Sequence, residues 1–125
     1  MKEEKSVYLL LTLTVRPCSA EEVEQTKDLL ISGLENFAQI DPVRYSLHFR
    51  FCFLEYAYRP SLPLDVQYHP HLHCILAVKE GYFKGKDYIK HDDLIRYWRQ
   101  ACGLDYDAFV EARKLSGFVV QAYKW

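Results

Sequence analysis

Three histidines occupy alternate positions in the segment YHPHLHC: His69, His71 and His73. The side chains of a β-strand alternate between its two faces, so a strand here would place all three imidazoles on one face. His71 and His73 would then lie about 6.5 to 7 Å apart along the chain, a spacing at which two nitrogens can approach one ion. Pro70 cannot donate to a regular ladder, and His69 is therefore expected to diverge and to flank the pair.

An acidic residue supplies the third candidate ligand. Glu55 lies in the neighbouring predicted strand, after a run in which Leu47, Phe49, Phe51 and Phe53 are predicted to share the core face. A carboxylate in that pattern requires a partner, and a β-bulge would rotate it onto the same face as the histidines. Two imidazoles and one carboxylate suit Mn, Zn, Co or Fe, and suit Mg less well. The residues alone leave two interpretations open, a metal site or an ordinary polar strand face.

The elements that must position these residues follow the order β-α-β-β-α-β. Apolar periodicity predicts strands at residues 7–15, 45–58, 69–78 and 108–115, helices at residues 20–39 and 92–102, and a short terminal helix from residue 116. Ser19 and Glu22 have the spacing of a capping box at the start of the first helix. This order is typical of the α+β ferredoxin-like fold, in which an antiparallel sheet has its first and third strands side by side and its helices on one face. The other face would be available for chemistry.

The composition limits the classes of protein that fit. The chain has 125 residues and a formal net charge of −1, which suits one domain but lacks the basic excess of most nucleic-acid-binding proteins. Any contact with nucleic acid must therefore depend on local charge or on a metal. No apolar run is long enough to predict a membrane span, and no signal peptide is evident. The four cysteines include no CxxC pair, so a cytoplasmic protein with reduced thiols is expected.

Five segments, taken in order, resemble the motifs of one family. LTLTVRP, FLEYAY, YHPHLHCIL, YWRQA and DAFVEARKL are similar to segments of plasmid rolling-circle replication initiators, which are members of the HUH endonuclease superfamily. The similarity covers residues 7–115 and implies that residues 1–125 form a single HUH catalytic domain with a ferredoxin-like fold. It also implies a divalent ion, Mn²⁺ or Mg²⁺, held by His71, His73 and Glu55.

The same resemblance implies a reaction. Such initiators nick single-stranded DNA or origin hairpin DNA through a tyrosine, which leaves a 5′-phosphotyrosine link and a free 3′-hydroxyl that primes replication. Their nucleophile lies on a helix after the fourth strand, and Tyr123 is the only tyrosine beyond that strand in this sequence. Lys124 beside it is expected to pair with phosphate. Many relatives carry a glutamate one helical turn before the tyrosine, and Val119 at that position would leave hydrolytic release poor.

Candidate DNA contacts are scattered along the chain. The basic side chains expected near phosphate are those of Arg50, Lys84, Lys86, Arg113 and Lys124. Tyr82 is expected to stack on unpaired bases. Two alternatives remain open. A non-catalytic single-stranded nucleic-acid-binding module on the same sheet would need exposed aromatics instead of a metal, and a tyrosine-type transposase of the same superfamily fits the YF, YI and YWRQA series less well.

Overall fold

The computed structural model describes residues 6–115 of the chain. Its strands are β1 (Ser6–Thr14), β2 (His48–Tyr58), β3 (Tyr68–Lys79) and β4 (Val110–Lys114). Its helices are α1 (Val23–Gln39), α2 (Asp41–Ser46) and α3 (His91–Cys102). Single 3₁₀ turns are formed by Ala20–Glu22, Leu64–Val66 and Tyr82–Lys84.

The strands of the described region form one four-stranded antiparallel sheet in the order β2-β3-β1-β4. β1 and β3 are central neighbours, so the predicted α+β ferredoxin-like arrangement is confirmed. In β1, Leu9, Leu11 and Leu13 are at most 3% exposed and belong to the core. The alternating Thr12 and Thr14 point to the opposite face of the sheet.

The helices pack against the leucine face of the sheet. Phe37 of α1 and Trp98 of α3 are fully buried and meet edge to face, with their ring centroids 5.8 Å apart. Trp98 also donates its indole N–H to the carbonyl oxygen of Thr14 at 2.8 Å, which ties α3 to β1. No helix in the described part of the chain is long and apolar enough to cross a membrane.

The predicted capping interaction is present where the first helical segment begins. The backbone N–H of Ser19 donates to Oε1 of Glu22 at 3.2 Å, and the Ser19 hydroxyl donates to the same oxygen at 3.0 Å. The backbone hydrogen bond, followed by the hydroxyl, lowers the pKa of the Glu22 carboxyl. The residues that follow first form a 3₁₀ turn and then continue as α1.

The start of the second strand differs from the prediction. Residues 41–46 form the short helix α2, so the strand begins at His48 and not at residue 45. Pro42 lies in the first turn of that helix, where a missing N–H has no cost and the fixed φ favours the helical conformation. The backbone N–H of Leu47 still donates to the carbonyl oxygen of Val43 at 2.9 Å. Asp41-Pro42 therefore begins a helix instead of only ending the previous one.

An extra residue divides β2 into two parts. Phe49 pairs with Leu76, but Phe51 pairs with Ile75, the residue directly before Leu76. Arg50 is therefore the additional residue of a β-bulge. The alternation of side chains between the two faces changes phase at this point.

Because of the bulge, the residues of β2 that were predicted to share the core face lie on two different faces of the sheet. Leu47 is 4% exposed and Phe49 packs against the core, but Phe51 and Phe53 are 51% and 40% exposed on the other face of the sheet. The prediction that these two phenylalanines belong to the core is wrong, because the regular alternation on which it depends ends at the bulge. Glu55 follows the same new phase. It lies on the face that carries the histidines, which is the outcome that the bulge hypothesis allowed.

Candidate metal centre

The cross-strand register aligns the candidate ligands. His71 of β3 pairs with Glu55 of β2 on one side and with Thr14 of β1 on the other. The next row on this face contains His73, which pairs with Thr12 of β1. Directly paired residues of an antiparallel sheet project from the same face, so the imidazoles and the carboxylate meet on the face opposite α1 and α3. This face is called the histidine face below.

The three predicted ligands form a compact cluster. Oε1 of Glu55 lies 3.0 Å from Nε2 of His73 and 3.5 Å from Nδ1 of His71. One nitrogen from each histidine and one carboxylate oxygen all lie within 4.8 Å of one another, close enough to hold a metal ion. Two nitrogens and one oxygen form a donor set that suits Mn, Zn, Co or Fe and leaves positions open for a substrate oxygen. The structure thus brings together all three residues selected from the sequence.

The electrostatics of the cluster favour the deprotonated forms that a metal requires. The hydrogen bond from His73, assisted by the charge of the histidines, lowers the pKa of the Glu55 carboxyl. Burial is the main cause that lowers the pKa of His71, and the neighbouring His69 adds to it. Metal ligands must be a carboxylate and unprotonated imidazoles. Both shifts therefore act in the direction that assists ion binding near neutral pH.

A threonine holds the second histidine. Oγ1 of Thr12 lies 3.1 Å from Nδ1 of His73, and Thr12 is only 6% exposed. A hydrogen bond to the nitrogen that does not face the ion orients a ligating imidazole. Thr12 was not selected from the sequence, although its alternation with leucines in LTLT placed it on the face opposite the core. The missing signal was the register, which sets Thr12 opposite His73.

His69 stays beside the cluster. Its Nε2 lies 2.7 Å from the carbonyl oxygen of Val15, and its Nδ1 lies 3.2 Å from Nε2 of His71. The expectation that His69 diverges is wrong, although it remains outside the ligand cluster. β3 continues through Pro70, which pairs with Tyr56 in β2, so the proline does not redirect the strand.

The predicted DNA contacts are placed very differently from one another. Arg50 is exposed at the bulge, and Arg113 lies on the histidine face, where it forms an ion pair of 3.3 Å with Glu111. β3 ends at Lys79, six residues after His73, which is a span of about 20 Å in a strand. Lys84 and Lys86 are both exposed and come after this end of the strand that carries the ligand histidines.

The prediction that Tyr82 stacks on unpaired bases is wrong. Its side chain is 7% exposed and belongs to the core, and its hydroxyl accepts the backbone N–H of Ile89 at 3.0 Å. The exposed aromatics of the histidine face are instead Phe51, Phe53 and Phe109, at 51%, 40% and 59% exposure. Phe53 lies directly against the cluster, with its ring centroid 5.1 Å from that of His73.

Four predictions fall on residues outside those that the structure describes. They concern the nucleophile Tyr123, the adjacent Lys124, the replacement at Val119 and the terminal helix from residue 116. They remain predictions.

The sheet and its cluster define a class: an α+β protein of ferredoxin-like topology with a candidate centre of two histidines and one carboxylate on its free face. Residues 1–122 match the model of a family described as "Replication protein" (Rep_1), and the chain belongs to that family.

Curated relatives carry similar descriptions. The chain is 34% identical over 112 residues to "Protein rep" of Bacillus amyloliquefaciens, which is 90% of this chain and 32% of that protein. It is 32% identical over 110 residues to "Protein rep" of a Bacillus species, covering 88% of this chain and 34% of the relative. It is 26% identical over 118 residues to "Replication protein" of Staphylococcus aureus, covering 92% of this chain and 49% of that relative. The chain thus spans about a third to a half of the length of these relatives. No solved structure matches it.

Proposed function

We propose that this chain is the nicking domain of a rolling-circle replication initiator of the HUH type, which acts on single-stranded or hairpin origin DNA of a plasmid. The observation that carries the proposal is the cluster of Glu55, His71 and His73 on the histidine face. Membership of the replication protein family supports the same function. The proposed reaction is phosphodiester transesterification, and the proposed cofactor is Mn²⁺ or Mg²⁺.

The chain's own residues would hold the ion and keep it in place. An ion bound to this donor set would polarise the scissile phosphate and neutralise the charge that develops in the transition state. Glu55 contributes the anionic ligand from β2, and His71 and His73 contribute the neutral ligands from β3. The central position of β3, hydrogen-bonded on both sides, fixes the distance between the two imidazoles.

The proposed nucleophile is Tyr123. Its phenolic oxygen would form a bond to phosphorus while the bond between phosphorus and the 3′-oxygen breaks. The phenolic proton would leave to a base, and the 3′-oxygen would take up a proton to become a free hydroxyl. The phosphotyrosine link keeps the phosphodiester energy for later rejoining.

The exposed groups of the histidine face suit an unpaired strand. Phe51, Phe53 and Phe109 would stack on bases, which every base allows through its π-face. Arg50 and Arg113 would contact phosphates. These contacts are local, which is consistent with a chain whose net charge is only −1.

A covalent adduct assay tests the proposal. The chain is incubated with a pool of labelled single-stranded oligonucleotides, with Mn²⁺ or with a chelator, and separated under denaturing conditions. The expected result is a labelled protein band that requires Mn²⁺ and is lost in Tyr123→Phe and in His71→Ala. Tyr56→Phe is the matched control, because Tyr56 is 45% exposed and adjacent to Glu55 in sequence but is not assigned to the site. An adduct that survives Tyr123→Phe refutes the assignment of the nucleophile.

The exposed aromatics also favour a second function, that of a non-catalytic single-stranded nucleic-acid-binding module. Such a module would bind the oligonucleotides equally well after chelation and would form no adduct. Phe53→Ala would then weaken binding, whereas His71→Ala would not. The initiator proposal predicts that both substitutions matter, the first for binding and the second for the adduct.

A further inference from the structure

We propose that His69 is a positioning residue, which sets the tautomer of His71 so that Nδ1, and not Nε2, is the nitrogen that faces the ion. The inference rests on the ion site of the proposed function. It adds a residue outside the cluster of ligands and assigns the ligand atom of His71.

A backbone carbonyl fixes the tautomer of His69. The oxygen of Val15 can only accept a hydrogen bond, and Nε2 of His69 lies 2.7 Å from it. Nε2 of His69 must therefore carry a proton. Val15 is only 3% exposed, which limits the competition from water for this contact.

The tautomer of His69 in turn determines the tautomer of His71. In an imidazole with one proton, the nitrogen without the proton is an acceptor. Nδ1 of His69 is that acceptor, and Nε2 of His71 lies 3.2 Å from it. Nε2 of His71 therefore donates and carries the proton of its ring. The two rings are nearly perpendicular, at 87°, with their centroids 4.6 Å apart.

The tautomer of His71 determines which of its nitrogens is available to the ion. With its proton on Nε2, His71 presents a bare Nδ1 towards Oε1 of Glu55, at 3.5 Å. A lone pair and a carboxylate oxygen then face each other with no proton between them. A cation between the two atoms would stabilise both, whereas a His71 protonated on Nδ1 would use the same carboxylate as a hydrogen-bond acceptor and would have to lose that proton to bind an ion.

The two ligand histidines are held in different ways. Nδ1 of His73 contacts the hydroxyl of Thr12, which can either donate or accept, and Nε2 of His73 donates to the Glu55 carboxylate at 3.0 Å when no ion is present. The contact of His71 with His69, and through His69 with the Val15 carbonyl, instead places the proton of His71 on Nε2, the nitrogen that does not face Glu55. Of the two imidazoles, His71 is thus prepared for the ion before the ion binds.

Nitrogen NMR of the metal-free chain tests the inference directly. Long-range ¹H–¹⁵N correlation spectra distinguish the protonated from the bare nitrogen of each histidine. His71 is expected to carry its proton on Nε2 in the wild type and to move it to Nδ1 in His69→Leu. His69→Asn keeps an acceptor oxygen near the position of Nδ1 and should restore the wild-type tautomer. His91→Leu is the matched control, because His91 donates from Nε2 to the carbonyl of Val110 at 2.6 Å but is not part of this chain of contacts.

The affinity for Mn²⁺, measured by calorimetry, should follow the tautomer. Loss of such an outer contact typically weakens metal binding about 10- to 100-fold, and this decrease is expected for His69→Leu, with recovery in His69→Asn and no change in His91→Leu. A proton on Nδ1 of His71 in the wild type overturns the inference. So does a folded His69→Leu protein with unchanged tautomer and affinity, or a folded His69→Asn protein that recovers neither. Absence of a DNA adduct in the wild type would refute the proposed function and leave these NMR and affinity results intact.

Discussion

Thr12 offers a sharp test of the site, because a second buried threonine on the same strand face provides its control. Thr12 contacts Nδ1 of His73 at 3.1 Å, whereas Thr14 donates to the carbonyl oxygen of Phe109 at 2.8 Å. Both are buried, at 6% and 0% exposure. Replacing each by valine keeps the shape of the side chain and removes one hydrogen bond. The two variants should therefore lose similar stability, about 1 kcal/mol each.

Their effects on the ion should differ. Thr12→Val removes the contact that orients His73, and we expect Mn²⁺ to bind about 10- to 100-fold more weakly, or about 1.4 to 2.7 kcal/mol. Thr14→Val should leave the affinity unchanged, because the Thr14 hydroxyl donates its hydrogen bond to the carbonyl oxygen of Phe109 and not to an imidazole. The assay is a calorimetric titration of both variants with Mn²⁺, with thermal unfolding as the check on stability. Wild-type affinity in a folded Thr12→Val protein, or an equal loss in both variants, would refute the argument that this hydroxyl positions the ligand.

Three further predictions concern the fold around the site. Deletion of Arg50 removes the extra residue of the bulge without shifting the pairs on either side, so Mn²⁺ affinity should be unchanged; loss of binding in a folded variant would contradict this register. Gly33→Ala should lower the free energy of unfolding in urea by about 1 to 3 kcal/mol, because the added methyl group overlaps Sγ of Cys102. Adding Cys102→Ala to the Gly33→Ala protein should recover part of that loss. Equal stability of the wild type, the Gly33→Ala protein and the double variant would refute the overlap. Finally, a hydrogen bond with Cys74 lowers the pKa of the Cys52 thiol, and burial raises the pKa of Cys102 to about 12. The thiolate is the reactive form, so peptide mapping after brief alkylation near pH 8 should find Cys52 modified before Cys102, and the reverse order would contradict the shifts.

The elements with strong periodicity were predictable from the sequence. The leucines and threonines of β1 alternate regularly, and the order of the elements determines which strands are central in a ferredoxin-like sheet. The H-hydrophobe-H unit of β3 likewise placed His71 and His73 on one face, because a central strand paired on both sides keeps its period of two. Glu55 was selected because a carboxylate at the end of an otherwise apolar strand pattern requires a partner.

The remaining features depend on pairing between distant segments, which a local pattern does not contain. The bulge at Arg50 is defined only by the register of β2 against β3, so the exposure of Phe51 and Phe53 could not be read from their alternation. The burial of Tyr82 depends on the turn after β3 folding back onto the core. The contacts of Thr12 and of His69 likewise depend on β1 lying next to β3 at one particular register.

The most direct test of the metal centre is pulsed EPR of the chain loaded with one equivalent of Mn²⁺. If Glu55, His71 and His73 hold the ion, the spectra should show couplings to two imidazole nitrogens. One coupling should disappear in His71→Ala and one in His73→Ala, whereas His48→Ala, which changes an exposed histidine at the start of β2, should retain both. Spectra without nitrogen coupling, or couplings that persist in both ligand variants, would contradict the proposal that this cluster binds the ion.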